Sequence, residues 1–561
     1  MRKHHCERNL LFLLISLALS SAELLSQVNV TTWHNDINRT GLNPQETVLN
    51  EGNVNRNQFG RICSSSVDGQ VYPQPLLVSN VTINGQLYSS VVYVATENDS
   101  LYAFDGSSTG PTCTQLLFTN LLQPGEFPAS CKYIGGKMCE TINPQVGILG
   151  TPVIDTATNT IYLVSESQVG NPPTSWVHRL HALDITNFSE KFNGPVVIAG
   201  SVSTGLKFSS QKHIQRPGLL WLAGTGGGPN MVYLGFSLID GAGAPLPNGW
   251  IFSYDAEDLA ATGYPLVFST TPQAGATGAG VWQGGTGLAA GIDSAGGNTY
   301  IYVGTADGTF DAASGGTDYG DSFLKLTTDL GTVAGYFTPF NQACMQSADT
   351  DFGSGGVMLI PDGIIPAHPY LAVATDKEGA IYVMDRGNPG GYGGNSNCTG
   401  TNSNLQTIAG LQHLHNAPAY WNKSLYVAAY GFPHVQPMNR YSISSTCSPG
   451  PICPTPVAST SVTFAAGVSP SISVDGSNTS TALAWAIWGN GTALPGGHAI
   501  LYAFNPRNLF ELYGSSQCGT EDLPGPGIKF TVPTVANGLV YIGTETDFDI
   551  YGELSQFRSC P

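Results

Sequence analysis

One pattern recurs along the chain and constrains its fold more than anything else. An apolar strand containing Tyr is followed by a turn and then by a second strand ending near Asp. Val91–Val94 leads to Leu101–Asp105, Ile161–Val164 to Leu180–Asp184, and Val232–Leu234 to Trp250–Asp255. Tyr300–Val303 leads to Ser322–Leu326, and Leu371–Ala374 to Ile381–Asp385. Weaker copies begin near Leu425, Ala484 and Leu539. This makes about eight copies at a spacing of roughly 55 to 70 residues, the range of propeller blades with long loops. A unit of this kind cannot bury its apolar face alone, so neighbouring copies must stack.

A further strand precedes most copies and often opens on a small residue and Pro, as at Thr151-Pro152, Ala417-Pro418, Ser469-Pro470 and Val532-Pro533. Proline is tolerated at the first residue of a strand, where its missing N–H breaks no ladder. Such a strand is expected to be the innermost of each blade, with its start facing a central channel. Segments alternate over four to eight residues between Gly, Asn and Asp turns, and no helical period competes. The expected fold is all-β: a single propeller of eight four-stranded blades over residues 23–561. The strand around Val28 to Trp33 is expected to complete the final blade and close the ring.

Residues 1–22 read as a signal peptide. Arg2, Lys3 and Arg8 precede a short apolar run, Leu10 to Leu19, and the small residues Ser20-Ser21-Ala22. That run is short for a membrane span, and no transmembrane segment is expected in the mature chain. Ten of the eleven Cys lie beyond Cys6, an even number suited to an oxidising compartment, secreted or periplasmic. Cys131 with Cys139, and Cys447 with Cys453, are close enough in sequence to pair locally. Asn-x-Ser/Thr sequons occur, for example at Asn29, Asn80 and Asn490, and matter only where the source glycosylates them. A net charge of −18 with only 21 Lys plus Arg, none clustered, argues against a nucleic-acid partner.

Three local motifs carry candidate chemistry. The first is Gly280-Val281-Trp282-Gln283 with the turn Gly304-Thr305-Ala306-Asp307-Gly308. The second is Gly320-Asp321-Ser322, and the third is Asp376-Lys377-Glu378-Gly379 running on to Tyr382-Val383-Met384-Asp385-Arg386. With the blade pattern, these resemble the quinoprotein alcohol dehydrogenase-like (PQQ-repeat) propellers, whose enzyme members use pyrroloquinoline quinone and calcium. The resemblance implies that Trp282 forms an aromatic floor for the quinone and that Lys377 contacts its carbonyl oxygens. It also implies that Asp307 and, from the nearest upstream carboxylate, Asp240 ligate calcium. Asp321 would be the general base taking an alcohol proton. Glu166 is an alternative to Asp240.

The chain also departs from that pattern. It has no adjacent Cys pair, Asp307 stands where the family has Asn, Asp321 is followed by Ser rather than Asn, and no CxxCH haem motif is present. His413 and His415, with His434 further on, would need a third ligand and an open position to make a zinc site. Two readings follow. One is a non-catalytic or degenerate binding and scaffold propeller, without cofactor, that meets a glycan or an envelope protein. The other is a quinone- and calcium-dependent dehydrogenase of a small-molecule alcohol or sugar. The missing Cys pair favours the first, and the set Trp282, Asp321 and Lys377 favours the second.

Overall fold

The computed structural model describes residues 28–135, 142–239, 246–430, 435–465, 467–489 and 497–560. The signal-peptide segment, Cys139, Asp240, His434 and Asn490 lie outside them. Eight antiparallel sheets follow one another along the chain. Their first strands are Leu76–Ile83, Val153–Asp155, Leu220–Leu222, Ala289–Ile292, Val357–Leu359, Ala419–Trp421, Ser471–Asp475 and Thr534–Ala536, in what we call blades 1 to 8. Four strands form the core of every blade. Blades 2, 3, 4 and 7 carry short additional strands at their margins.

The apolar faces pack blade against blade around the ring. One cluster joins Tyr162 and Leu180 of blade 2 to Val232 and Phe252 of blade 3. Equivalent clusters join blades 3 and 4, 4 and 5, 5 and 6, 6 and 7, and 7 and 8. The largest joins Phe548 and Ile550 of blade 8 to Val91 and Phe104 of blade 1, and these to Ile161 and Leu163 of blade 2. Both repeated residues of the sequence pattern have local tasks. The second-strand Tyr reaches across to the next blade: Tyr93 Oη donates to the Ile185 carbonyl at 3.0 Å, Tyr162 to Ala256 at 2.9 Å, and Tyr426 to Pro506 at 2.9 Å. Tyr541 of blade 8 donates to Gly106 of blade 1 at 3.1 Å and so seals the ring. The terminal Asp accepts from the N–H two residues on, as Asp105 does from Ser107 and Asp255 from Glu257, both at 2.9 Å, closing an Asx turn.

Ring closure differs from the sequence expectation. The outer strand of blade 8 is Phe59–Ser66, antiparallel to Asp547–Glu553. The segment around Val28 to Trp33 adds no strand to that blade; it meets it where the Val28 N–H donates to the Asn537 side chain at 2.9 Å. Val30 pairs with Leu77 on the inner strand of blade 1, and residues 30–46 run on through the central channel. Along the way the carbonyls of Thr31, Ile37, Asn38, Thr40 and Gly41 accept N–H groups of Ile154, Ala290, Leu359, Tyr420 and Ile472, the inner strands of blades 2, 4, 5, 6 and 7. Asn43 Nδ2 donates to Val535 of blade 8, and Arg39 Nη2 to Leu219 beside blade 3. The inner edges of the blades would otherwise leave backbone donors unpaired, and this plug satisfies them. Arg39, fully buried, donates twice more to the Leu288 carbonyl, at 2.8 and 2.6 Å.

Disulfides reinforce the closure. Cys63 of the closing strand bonds to Cys113 of blade 1, and Cys518 to Cys560 near the C-terminal end. Cys344–Cys398 and the expected Cys447–Cys453 pair are also formed. Among the described residues, no helix is long and apolar enough to cross a membrane.

Candidate functional site

In a four-stranded antiparallel blade, the turn between second and third strands and the loop entering the next blade emerge at the same end. Trp282 lies in the loop entering blade 4. Asp307 sits in the second turn of that blade, directly after the strand Thr299–Gly304. The short helix Gln342–Ala348 and the loop after it carry Asp349 and Asp351 toward blade 5. Lys377 follows the second strand of blade 5, Leu371–Thr375. These segments converge on one cavity of about 290 Å³ that Trp282, Asp307, Asp349, Asp351 and Lys377 all line. Arg216, from the loop entering blade 3, and Lys529 and Phe530, from the loop entering blade 8, line it as well. The turn that holds Asp307 depends on close backbone approach. A Cβ at Gly320 would stand 2.0 Å from the Gly308 carbonyl, and one at Gly278 2.3 Å from that of Asp307.

Carboxylates dominate one wall. An oxygen from each of Asp307, Asp349 and Asp351 lies within 4.8 Å of the other two. Asp351 accepts from the Asp307 backbone N–H at 2.9 Å. Lys377 Nζ is 3.0 Å from Asp349 Oδ1 and is also paired with Asp351. Burial alone would lower the Lys377 ammonium, but these two carboxylates outweigh it and hold its pKa above the usual value. Asp307 Oδ1 is buried and has no hydrogen-bond partner. Burial, then the charges of Asp321 and Asp351, push the Asp307 carboxyl well above the ordinary range.

Asp321 stands behind this wall, not on the cavity. It is fully buried in a left-handed backbone conformation with φ 49°. Its oxygens accept from the Phe352 N–H at 3.1 Å and from Gln342 Nε2 at 3.2 Å. Burial and then the Asp351 charge raise its pKa. The structure therefore brings Trp282, Asp307 and Lys377 to one chamber and places Asp321 against its back. Asp240 lies outside the described residues. Glu166 is paired with His178 at 3.1 Å in the interior of blade 2 and does not line this cavity.

Two further features were not read from the sequence, and the pair His413 and His415, considered there only for zinc, takes a different place. Asp349 and Asp351 lie in an insertion outside the blade repeat, where periodicity says nothing. Arg216 precedes Pro217 at the entry to an inner strand; a cation at that channel-facing position is the signal that could have found it. His415 packs perpendicular to Trp282 with ring centroids 6.2 Å apart, and Phe530 does so at 5.4 Å. Burial and the charges of Lys377, His413 and Lys529 push the His415 imidazole down to about 3, so it is neutral. His413 stacks on it at 6.0 Å.

No family model matches the chain, and no curated protein matches it. Solved structures do. A quinohemoprotein alcohol dehydrogenase from Comamonas testosteroni superposes with a TM-score of 0.59 at 13% identity, over 95% of this chain and 81% of that one. A quinohemoprotein alcohol dehydrogenase from Pseudomonas putida HK5 gives a TM-score of 0.54, also at 13% identity and with the same coverage. At that identity the likeness is one of fold alone: the chain shares the eight-bladed propeller architecture of these two structures.

Proposed function

We propose that the chamber is the site of a quinone- and calcium-dependent dehydrogenase acting on a small alcohol or sugar. The observation that carries this reading is the convergence of Asp307, Asp349 and Asp351 on the cavity that also holds Trp282 and Lys377. Three carboxylates around the unpartnered Asp307 oxygen form the all-oxygen donor set that calcium takes. One ammonium cannot neutralise them all, and a divalent cation supplies the missing charge. A planar polyanionic quinone suits the other walls: Trp282 offers an aromatic surface, and Arg216, Lys377 and Lys529 offer positive charge. The residues present thus fit both groups, with Asp307, Asp349 and Asp351 holding the cation and Trp282 and Lys377 contacting the quinone. When bound, a quinone supplies the two-electron acceptor.

The remaining work falls to the chain's own side chains. Asp351 faces the cavity and is held by the Asp307 N–H and by Lys377, so it is the carboxylate placed to take the substrate hydroxyl proton. Asp321, the candidate from the sequence motif, meets the cavity only through Asp307 and Asp351; in this scheme it shapes their charge. Lys377 balances the carboxylates while no cation is bound and is freed toward the ligand when they turn to a cation. The neutral His415 and the Phe530 ring exclude water beside Trp282.

The absence of an adjacent Cys pair favours a second reading, a binding propeller that presents this chamber to a glycan or an envelope protein without turnover. Either role suits a secreted or periplasmic protein, which the disulfides support. The test is reconstitution with pyrroloquinoline quinone and Ca²⁺, followed by dye reduction across a panel of alcohols and sugars. Turnover that needs both additions and is lost in Lys377→Ala supports the dehydrogenase. Saturable quinone binding with no turnover on any substrate supports the binding role.

A further inference from the structure

The turns between first and second strands, and between third and fourth, emerge at the end of the ring opposite the chamber. In blades 1, 6, 7 and 8 the first of these turns has two residues, Asn84-Gly85, Asn422-Lys423, Gly476-Ser477 and Asn537-Gly538, a usual length for a β-hairpin. Blades 3 and 4 depart from this. Residues 223–230 and 293–298 stand in the same places. A groove of about 800 Å³ opens between the two blades there. Tyr264, just before the fourth strand of blade 3, and Asp329, between the third and fourth strands of blade 4, line its far side.

Three tyrosines line this groove. Tyr233 is buried, and its hydroxyl donates to the Thr328 carbonyl at 2.9 Å, tying the blade 3 wall to the blade 4 wall. Tyr264 and Tyr300 are half-buried and show part of each ring to the groove. Lys325 Nζ lies 4.1 Å from the Tyr300 ring centroid but does not line the groove, so it holds that ring from behind. It is itself fixed by Asp293 and by the Arg386 carbonyl at 3.1 Å. The loop of blade 3 is fixed too. The Gly224 N–H donates to Asn230 Oδ1 at 2.9 Å, and a Cβ at Gly224 would stand 1.9 Å from the Gly228 carbonyl.

This lining excludes several ligand classes. Among the described residues that form it there is a carboxylate, Asp329, and no Lys, Arg or His, so it offers no counter-charge to a phosphate or a carboxylate. Asp329 Oδ1 accepts from Thr327 Oγ1 at 2.5 Å and from the Gly331 N–H at 2.9 Å, bonds that hold its pKa below the ordinary range and keep it ionised. A cationic ligand would have to share the Tyr300 ring with the Lys325 ammonium, and the like charge opposes it. A purely apolar segment would cover the exposed Asn298 and Asp329 and leave their polar atoms without water or partner. A neutral ligand with apolar faces and a hydroxyl-bearing edge meets none of these objections. A pyranose is such a group: its C–H face packs on a tyrosine ring, and its hydroxyls donate to a carboxylate and exchange hydrogen bonds with an amide. The volume lies toward the upper end of the roughly 300–1,000 Å³ usual for ligand sites, room for more than one ring.

We propose that the groove between blades 3 and 4 binds a neutral oligosaccharide, with Tyr264 and Tyr300 as the stacking faces and Asn298 and Asp329 as the hydrogen-bonding edge. This site is separate from the chamber and holds whichever way the chamber is read.

The experiment is calorimetric titration of the full mature chain, without quinone or added cation, against cellohexaose, laminarihexaose, maltohexaose, mannohexaose and chitohexaose. Hexagalacturonate serves as the acidic control and choline as the cationic one. Wild-type protein is expected to bind at least one neutral hexasaccharide at one saturable site, more tightly than either control. Tyr264→Ala and Tyr300→Ala are each expected to weaken that binding by about tenfold, the loss of one aromatic face. Asp307→Asn, which alters the chamber, is expected to bind the sugar as wild type does. Should a tyrosine variant fail to fold, Asn298→Ala, at an exposed position, decides, with an expected loss of about threefold or more. Four results overturn the proposal: no neutral hexasaccharide bound by wild type, tighter binding of galacturonate or choline, sugar affinity undiminished in the folded groove variants, or affinity lost in Asp307→Asn.

Discussion

Lys377 Nζ stands 3.0 Å from Asp349 Oδ1, joining the second turn of blade 5 to the loop that enters the same blade. With Asp351 on the same ammonium, this lysine is the internal counter-ion of the carboxylate wall. Replacing it with Gln leaves the acids uncompensated in a half-enclosed site, a loss of about 1–2 kcal/mol given their partial exposure. Lys377→Gln is therefore expected to melt lower than wild type in chelator and to gain more than wild type on adding Ca²⁺. Scanning calorimetry of both proteins with and without the ion reads this directly; equal gains would contradict it.

The two candidate proton acceptors separate by burial. Asp351 reaches the cavity, whereas Asp321 is enclosed and bonded to Phe352 and Gln342. Losing a general base typically costs about 100-fold or more in rate. With Ca²⁺ and quinone held at saturation so that the weakened cation site is refilled, Asp351→Asn is expected to lose dye reduction on that scale, with a fall in stability no larger than that of Lys377→Gln, whose ion pair it shares. Asp321→Asn is expected to act mainly on stability. The opposite pattern would move the role to Asp321.

Arg39 tests the plug. Its guanidinium ties residues 32–36 to the Leu288 and Leu219 carbonyls and to Thr32 Oγ1. Arg39→Met strands several buried carbonyls, at a cost of about 3 kcal/mol from the usual price of unmade hydrogen bonds. Urea unfolding is expected to show that loss. Tyr541→Phe, which removes the single bond to Gly106, is expected to cost about 1 kcal/mol.

Asp376 introduces a pH dependence. It is buried, and desolvation raises its carboxyl from 3.8 to about 7, although it accepts from Tyr382 Oη at 2.6 Å and from the Ala380 N–H at 2.8 Å. Between those values the folded state holds a proton that the unfolded chain releases. This group's contribution to stability therefore falls as pH rises from about 4 to about 7, by about 1.4 kcal/mol per pH unit. Asp376→Asn does not titrate and is expected to gain on wild type across that window. Parallel urea midpoints for the two proteins at pH 5 and pH 7.5 would contradict this.

Ser165, His181 and Glu190 form a hydrogen-bonded line in blade 2, with Ser165 Oγ 2.9 Å from His181 Nε2 and Nδ1 2.5 Å from Glu190. Ser165 and His181 are buried between strands, so the line is structural and not nucleophilic. A serine-directed fluorophosphonate is expected to leave Ser165 unlabelled, as read by mass spectrometry of its peptide; stoichiometric labelling there would contradict this.

The blades were legible because their signals repeat. Tyr162 and Tyr541 perform one task at two places in the ring, and Pro152 and Pro533 enter inner strands in the same way. Closure was not legible. Residues 30–46 are polar and turn-rich, and nothing local in Val28–Trp33 says whether it meets the last blade or the channel. Phe59–Ser66 carries only Phe59, Ile62 and Cys63 as apolar positions, a weak strand pattern for the segment that closes the ring. In the site, Trp282, Asp307 and Lys377 were found from local motifs attached to blades. Asp349, Asp351 and Arg216 belong to loops whose meeting depends on three blades being brought around one axis.

The most direct test of that meeting is calorimetric Ca²⁺ titration of the mature wild-type chain and of Asp307→Asn and Asp351→Asn. The account predicts one saturable site in wild type, weakened at least tenfold by either substitution although the two residues are 44 positions apart. No saturable Ca²⁺ site in wild type, or one that neither substitution weakens, would contradict it.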